Sequence, residues 1–349
     1  MRVIILGDLH LGARGGSNHF SEYFNRFFSE VLYPYCEKNK IKHILQLGDC
    51  MDNRTNLTYK AFHKCRDIWF KEMGDRGISM HVLVGNHDIA YKHTLEINSP
   101  ELLLGEYKHI TVVNKPTQIE LGGTKIDIVP WICDENEEQI KEFVKRKDRG
   151  SILLGHLELA NFPMYKGVES HGGMSGSIFD GYNLVFSGHY HTRSEKGNIV
   201  YTGIPYEITW ADYADPKGFF VYDTVKNTYE FVRNPLTMFE KIHYNNGSKV
   251  DISKLSGKIV KIIVGEKKDA VLYERWLDSI RLVTPYELTT IENDIVSLDG
   301  ELDDSIQIED TPTLVKSYID QIDTSVSKED LNKYMQALYF EALTTNDTL

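Results

Sequence analysis

Five times in the first two hundred residues an apolar run stops at a glycine, and the next residue is of a type that can hold a metal ion. "RVIILGDLH" leads to Asp8 and His10, and "HILQLGDCMD" to Asp49 and Asp52. "MHVLVGNHD" leads to Asn86 and His87, "SILLGHLE" to His156, and "NLVFSGHYH" to His189 and His191. Short apolar runs bounded in this way read as buried strands. A polar side chain placed directly after a buried strand is costly unless something bonds it. Glycine permits a tight turn there and a close approach of backbone to ligand. In layered α/β folds such strand ends line one crevice, where ligands bind. The recurrence therefore predicts a fold that gathers five strand tips in one place.

Between the first three strands lie helix-like segments, roughly 20–39 and 57–73, the alternation of an α/β layered domain. Two hairpin patterns follow. "TQIELGGTKIDIV" (117–129) turns at Gly-Gly, and "GFFVYDTVKNTYEFV" (218–232) turns at Lys-Asn. A β-sandwich with helices on its outer faces satisfies both patterns.

After residue 236 the pattern changes. "KIVKIIVG" (258–265) and "AVLYERWLDSIRL" (270–282) are enough for a small α/β module. The stretch 292–310 is rich in Asp and Glu with no basic residue, and reads as a solvated linker. Beyond it, "SKEDLNKYMQALYFEAL" (327–343) starts with a Ser327/Asp330 pair resembling a capping box. It puts Leu331, Tyr334, Met335, Leu338, Tyr339 and Ala342 on one helical face.

The chain carries a net charge of −12, which argues against a broad nucleic-acid-coating surface but leaves room for a local positive site. No run of eighteen apolar residues and no signal-peptide core occurs, so a cytoplasmic protein is expected. In that compartment Cys36, Cys50, Cys65 and Cys133, which form no C-x-x-C pair, are expected to stay reduced.

Gathered together, Asp8, His10, Asp49, Asn86, His156, His189 and His191 form a metal-binding set. Carboxylate, amide and imidazole donors suit Mn²⁺, Fe²⁺, Zn²⁺ or Mg²⁺, and the lack of thiolates disfavours a structural zinc site. Seven ligands exceed the needs of one ion. They suit two, sharing one carboxylate, at ~3.5–4 Å separation. Residues two apart on an extended segment point the same way, which accounts for the Asp8/His10 and His189/His191 spacing. Taken singly, each block also has an ordinary reading, a hydrogen-bonded polar residue at a strand end. The five blocks in order do not.

That ordered set resembles the calcineurin-like metallophosphoesterase superfamily, with its blocks D-x-H, G-D, G-N-H-[DE], G-H and G-H-x-H, over residues 1–232. The resemblance implies a four-layer sandwich. It assigns Asp8, His10 and His191 to one ion, Asn86, His156 and His189 to the other, and Asp49 as the bridge. Two divalent cations would outweigh the charge of Asp8 and Asp49, giving a locally positive site in an acidic chain. His87, adjacent to a ligand and not needed as one, is the expected acid for the leaving oxygen, with Asp88 orienting it. Asp52 stands where some relatives carry a second histidine. It reads either as a substrate contact or as a helix cap or partner of Arg54.

Within the superfamily, "GDLHLG" and "YTGIPYEITWADYADPKGFFVYD" (201–223) resemble the SbcD-type recombination and repair nucleases. "VPWICDENEEQI" and "YKGVESHG" are similar to the nuclease subunits of T-even phage recombination endonucleases. This resemblance implies a nuclease domain at 1–235, a DNA-positioning cap at 236–291, an acidic linker at 292–312 and a partner-binding helical segment at 313–349. It also implies Mn²⁺-dependent exonuclease action on duplex DNA and endonuclease action on single strands, in recombination, repair and replication, with Mg²⁺ as the alternative ion. The partner would be an SbcC-type coiled-coil ATPase, since no GxxxxGK[ST] occurs here. A homodimer through 57–73 is expected, and the host-cell cytoplasm if the chain is phage-encoded. Arg14, Arg54 and Arg193, beside the ligand blocks, could touch phosphates or simply lie on the surface. A phosphomonoesterase, a cyclic-nucleotide phosphodiesterase and an inactive scaffold are the competing readings.

Overall fold

The computed structural model describes residues 1–165, 168–170, 172–245, 250–292, 319, 327–328, 330–335 and 338. Two six-stranded sheets dominate it. In the first, Arg2–Leu6, His43–Gln46, Ser79–Leu83 and Ile110–Val113 run parallel, with Ile4 opposite Ile44, Ile44 opposite Met80 and Met80 opposite Ile110. The antiparallel hairpin Gly218–Asp223 and Thr228–Arg233 completes its other edge. In the second, Thr124–Val129, Ile152–His156, Leu184–Gly188 and Ile199–Tyr201 run parallel, flanked by antiparallel Thr117–Leu121 and Ser194–Lys196.

Strand alternation divides the apolar residues into three layers of core. Val3, Ile5, Leu45 and Leu83 of the first sheet meet Ile126, Ile128, Leu154 and Phe186 of the second. On the other face of the first sheet, Ile4, Leu6, Ile44, Met80 and Val82 pack on helices. Beyond the second sheet, Leu153, Val185 and Tyr201 pack on Ile140, Val144 and Phe179. Strands covered on both faces need continuous apolar runs rather than alternating ones, as the sequence shows. The result is the expected helix–sheet–sheet–helix sandwich.

The helices of the first layer follow from spacing. Phe20, Tyr23, Phe24, Phe27 and Phe28 recur at three- and four-residue steps and bury one face of Asn18–Arg26 and Phe27–Leu32, which continue into Tyr33–Asn39. Tyr59–Arg66, Asp67–Lys71 and Glu72–Asp75 form the second such rod, opened by Thr58, whose hydroxyl accepts from Ala61 N. Trp69 of this rod stacks on Phe28 of the first, with centroids 4.6 Å apart.

Phe239–Asn245, Ile259–Glu266 and Glu287–Glu292 form a third sheet, with helix Ala270–Leu282. Ile242, Tyr244, Val260, Ile262, Tyr273 and Leu277 give it a core of its own, while Phe239 and Ile259 join the main core. Residues Met1–Ile291 form one compact unit and Glu292–Leu349 a second. In the second unit, residues 328, 330–335 and 338 are helical, and Ser327 Oγ accepts from Asp330 N at 3.4 Å. Nearly all of the acidic stretch, and Tyr339 and Ala342 of the expected helical face, lie outside the described residues. The four cysteines are free and buried. No described helix is long and apolar enough to cross a membrane.

Phe186 sits fully buried between the sheets, against Phe220, Tyr222 and Tyr229. Phe186→Ala is expected to cost about 3–5 kcal/mol in urea unfolding. A loss below about 1 kcal/mol, the scale of an exposed substitution, would contradict this packing.

Candidate metal centre

All five glycine-terminated tips meet at one edge of the sandwich. The two sheets contribute differently: the first supplies Asp8, His10, Asp49, Asn86 and His87 from loops after its strands. In the second, His156 is the last strand residue, and His189 and His191 follow Gly188.

The glycines are explained chiefly by crowding. A Cβ at Gly48 would lie 2.5 Å from His156 Nδ1, and one at Gly188 would lie 2.5 Å from Asp8 Oδ1. At Gly85 it would overlap Asp49 Oδ1 and its backbone N. Each of these tips therefore makes room for a polar side chain of another. Only Gly48 also needs glycine for its turn, with φ of 99°.

The candidate ligands fall into two clusters. One holds Asp8, His10 and His191; the other holds Asp49, His156 and His189. Within each, the candidate ligand atoms lie within 4.8 Å of one another. Asn86 joins the second, where its Oδ1 lies 2.8 Å from His156 Nε2 and 2.9 Å from His189 Nδ1. The expectation that His189 and His191 point the same way is corrected: φ of 86° at His189 turns the chain and sends the two imidazoles to different clusters.

His10 and Asp49 also have positive φ, 47° and 49°. Three non-glycine residues in this region at one edge are a concentration of backbone strain, of order 1–3 kcal/mol each, typical of functional sites.

Asp49 connects the tips. Its carbonyl accepts from Leu9 N and His10 N at 2.9 and 3.0 Å, and its Oδ1 accepts from His87 N at 2.8 Å. Its Oδ2 lies 3.3 Å from His156 Nε2. Burial pushes this carboxyl up, but His156, His87 and His10 outweigh it and hold it well below the ordinary range. Burial lifts Asp8 to about 7, with His156 opposing and Asp49 adding to the rise. Burial disfavours charge on His10 and His156, yet the carboxylates around them prevail and raise both to about 9. Burial and His10 push His191 down to about 3, and burial and His156 hold His189 well below its ordinary value. Each cluster thus couples a proton-holding imidazole with a neutral one.

These donors fit a pair of divalent cations. His10 Nε2 and His191 Nε2 face each other at 3.1 Å, and His191 Nδ1 is buried without a hydrogen-bond partner. His156 gives Nδ1–H to the Leu47 carbonyl at 2.7 Å, the backing that frees Nε2 as a ligand.

Around the clusters, several side chains differ from expectation. Asp52 neither caps the following helix, which Thr58 does, nor pairs with Arg54. Its carboxylate lies 3.3 Å from His10 Nδ1, and its carbonyl accepts from His87 Nδ1 at 2.6 Å. Asp88 does not touch His87. Its carboxylate accepts from Cys50 N, Met51 N and Gly85 N, knitting two tips together, and burial and Asp49 raise it to about 6 against those three bonds. Burial lowers His87 below its ordinary value, with Asp49 opposing.

Of the three arginines, Arg54 is half-buried, and its pKa is lowered by burial and supported by Asp49. Arg14 lies 5.7 Å over the Phe20 ring and Arg193 4.3 Å over Phe231; neither side chain bonds a cluster residue. Trp131 escaped the sequence reading. Its ring lies 5.2 Å from His189 and 5.8 Å from His156, walling the second cluster, and its signals were its place after a strand and within "VPWICDENEEQI".

Residues 1–193, which contain every candidate ligand, match the profile of the calcineurin-like phosphoesterases, and the chain belongs to that family. It is a metal-dependent phosphodiesterase. Exonuclease subunit 1 of enterobacteria phage T4 is 34% identical over 349 aligned positions, covering 98% of this chain and 99% of that protein. Among solved structures, a novel archaeal phosphodiesterase is 12% identical, with a TM-score of 0.35, over 67% of this chain and 100% of that one. A phosphatase from Mycoplasma pneumoniae is 13% identical, with a TM-score of 0.37, over 67% and 93%.

A cation at about 100 times its Kd is expected to stabilise the protein by about 2.7 kcal/mol per site. Gly85→Ala, which drives Asp49 out of place, should abolish most of this gain when unfolding is compared with and without Mn²⁺. An undiminished gain would show that Asp49 does not depend on the space at Gly85.

Proposed function

We propose that this chain is a Mn²⁺-dependent DNA nuclease, an exonuclease on duplex ends and an endonuclease on single strands. It would work with an SbcC-type ATPase in recombination, repair and replication. The observation that carries this reading is the pair of clusters joined through Asp49, with His87 bonded to that same carboxylate. End-to-end similarity to a phage exonuclease subunit supports DNA as the substrate, and that relative's being one subunit of an exonuclease supports a partner.

In this reading Asp8, His10 and His191 would hold one ion and Asn86, His156 and His189 the other, with Asp49 as the shared ligand. Two such ions supply Lewis acidity at phosphoryl oxygens and lower the pKa of water to near neutrality. The chain supplies the rest. The Asp52 carbonyl can only accept, so His87 Nδ1 carries a hydrogen and Nε2 is the nitrogen free for substrate. To give a proton from Nε2 to the departing oxygen His87 must be protonated on both nitrogens, an imidazolium that burial disfavours and Asp49 favours, and Asp52 sets the rings of both His87 and His10. Arg54, half-buried near Asp49 and without an ion pair among the described residues, is the arginine best placed for a substrate phosphate.

The wider organisation follows the same reading: nuclease domain 1–235, DNA-positioning cap 236–291, acidic linker 292–312 and ATPase-binding segment 313–349. The 57–73 rod is the proposed homodimer surface, and the cytoplasm the site of action.

Shortening of linear duplex DNA with Mn²⁺, abolished by chelation, tests the substrate. Hydrolysis confined to phosphomonoesters or cyclic nucleotides would replace the nuclease reading, and no turnover on any phosphoester would leave a scaffold. His87→Ala should keep its cations while turnover falls by about 10²-fold or more, the range for lost acid catalysis. Unchanged turnover would remove His87 from this role. Arg54→Ala should raise KM for DNA more than it lowers kcat; a pure kcat loss would place Arg54 elsewhere in the chemistry.

A further inference from the structure

His191 is held differently from His10, His156 and His87. The carboxylate of Asp52 stands beside His10, the Leu47 carbonyl backs His156, and the Asp52 carbonyl backs His87. Among the described residues the His191 ring has no such backing: its Nδ1, like that of His10, has no hydrogen-bond partner, its Nε2 faces His10, and the Tyr165 ring lies 5.8 Å away. Apart from His10, the hydrogen bonds that hold His191 among the described residues are made through its backbone.

That backbone is gripped by one segment, residues 203–217. Ile204 N donates to the His191 carbonyl at 3.3 Å. Position 203 must be glycine, because φ there is 67° and a Cβ would stand 2.9 Å from the same carbonyl. Lys217, whose side chain is 3% exposed, donates from Nζ to that carbonyl at 2.9 Å. Its other two contacts are Asp212 Oδ1 at 2.9 Å and Asp215 Oδ2 at 2.8 Å. The ammonium thus hydrogen-bonds the His191 carbonyl and Asp215 and pairs with Asp212. Asp212 is itself fixed, since its Oδ2 accepts from Ile208 N and Thr209 N.

A buried ion pair of this kind is a poor source of stability, because desolvation offsets most of the attraction. What it does supply is a defined position. Among the described residues, the only bond of the Lys217 side chain that leaves its own segment ends on the backbone of a candidate ligand. We infer that Lys217, braced by Asp212 and Asp215, is a positioning residue for His191 and so for the first cluster. The inference rests on the reading that this cluster holds a cation.

The test is Mn²⁺ binding to the full chain without substrate, by calorimetry and electron paramagnetic resonance, with thermal melting as the check on folding. Lys217→Gln should weaken one ion by about 10- to 100-fold, the range for a lost ligand-orienting bond, and leave the other close to wild type. The spin-coupled pair signal should give way to that of an isolated ion, and Lys217→Arg should restore part of the affinity. Two ions bound with wild-type affinity to folded Lys217→Gln would overturn the role of Lys217 alone. A wild-type chain that binds no cation would overturn the metal reading beneath it. Should Lys217→Gln fail to fold, Asp215→Asn decides, since it keeps the Lys217–Asp212 pair. Selective weakening of one ion supports the inference, and unchanged binding of both overturns it.

Discussion

One residue, Asp49, ties three other strand tips to its own. It bonds the first tip through its carbonyl, the third through Oδ1 and the fourth through Oδ2. The second tip is its own. A positive φ at such a residue would ordinarily relax, but here the surrounding bonds over-determine it. The same bonds explain why Gly85 and Gly48 cannot carry side chains: their space belongs to Asp49 and His156. The site's geometry therefore depends on a mesh of backbone donors and missing Cβ atoms around one acid, more than on the ligands taken separately.

The mesh spans two sheets, so the interlayer core sets its dimensions. Asp49 follows a strand of the first sheet and His156 ends one of the second, and the layer packed between the two sheets, Leu45 and Leu154 among it, sets how they meet. Close-packed interiors deform little. A sandwich of this kind can hold donors from sequence positions 8 to 191 within a few ångströms because neither sheet can slide over the other without opening that layer.

This division also governs what could be read from sequence. The strand tips were legible because buried strands have an unmistakable composition and a glycine followed by a polar residue has few other uses at their ends. The helices were legible from the phenylalanine spacing, and the hairpins from their turns. Roles carried by backbone atoms were not. Asp52 reads as a carboxylate, yet part of its work is done by its carbonyl, which any residue possesses. Asp88 reads as a partner for its neighbour His87, but it serves three amides, two of them far along the chain. The opposite orientations of His189 and His191 follow from one φ angle that side-chain spacing does not encode. Trp131 and Lys217 look like ordinary core and surface residues until the fold brings them to the histidines.

The electrostatics give the arrangement its direction. Asp8 and Asp49 sit buried and close enough for each to affect the other's ionisation, and protons on His10 and His156 compensate them. Those protons occupy nitrogens that converge with the carboxylates, so a cation and a proton compete for the same donors. Divalent ions require neutral imidazoles and ionised carboxylates, and binding them displaces protons and removes the repulsion together. A chain of net charge −12 can thus present an anionic substrate with an attractive site without any surrounding basic surface, since the attraction resides in the ions and not in the fold's own side chains. Discrimination between phosphoesters then falls to groups outside the clusters, and Trp131, against His189, and Arg54, within the field of Asp49, stand beside them.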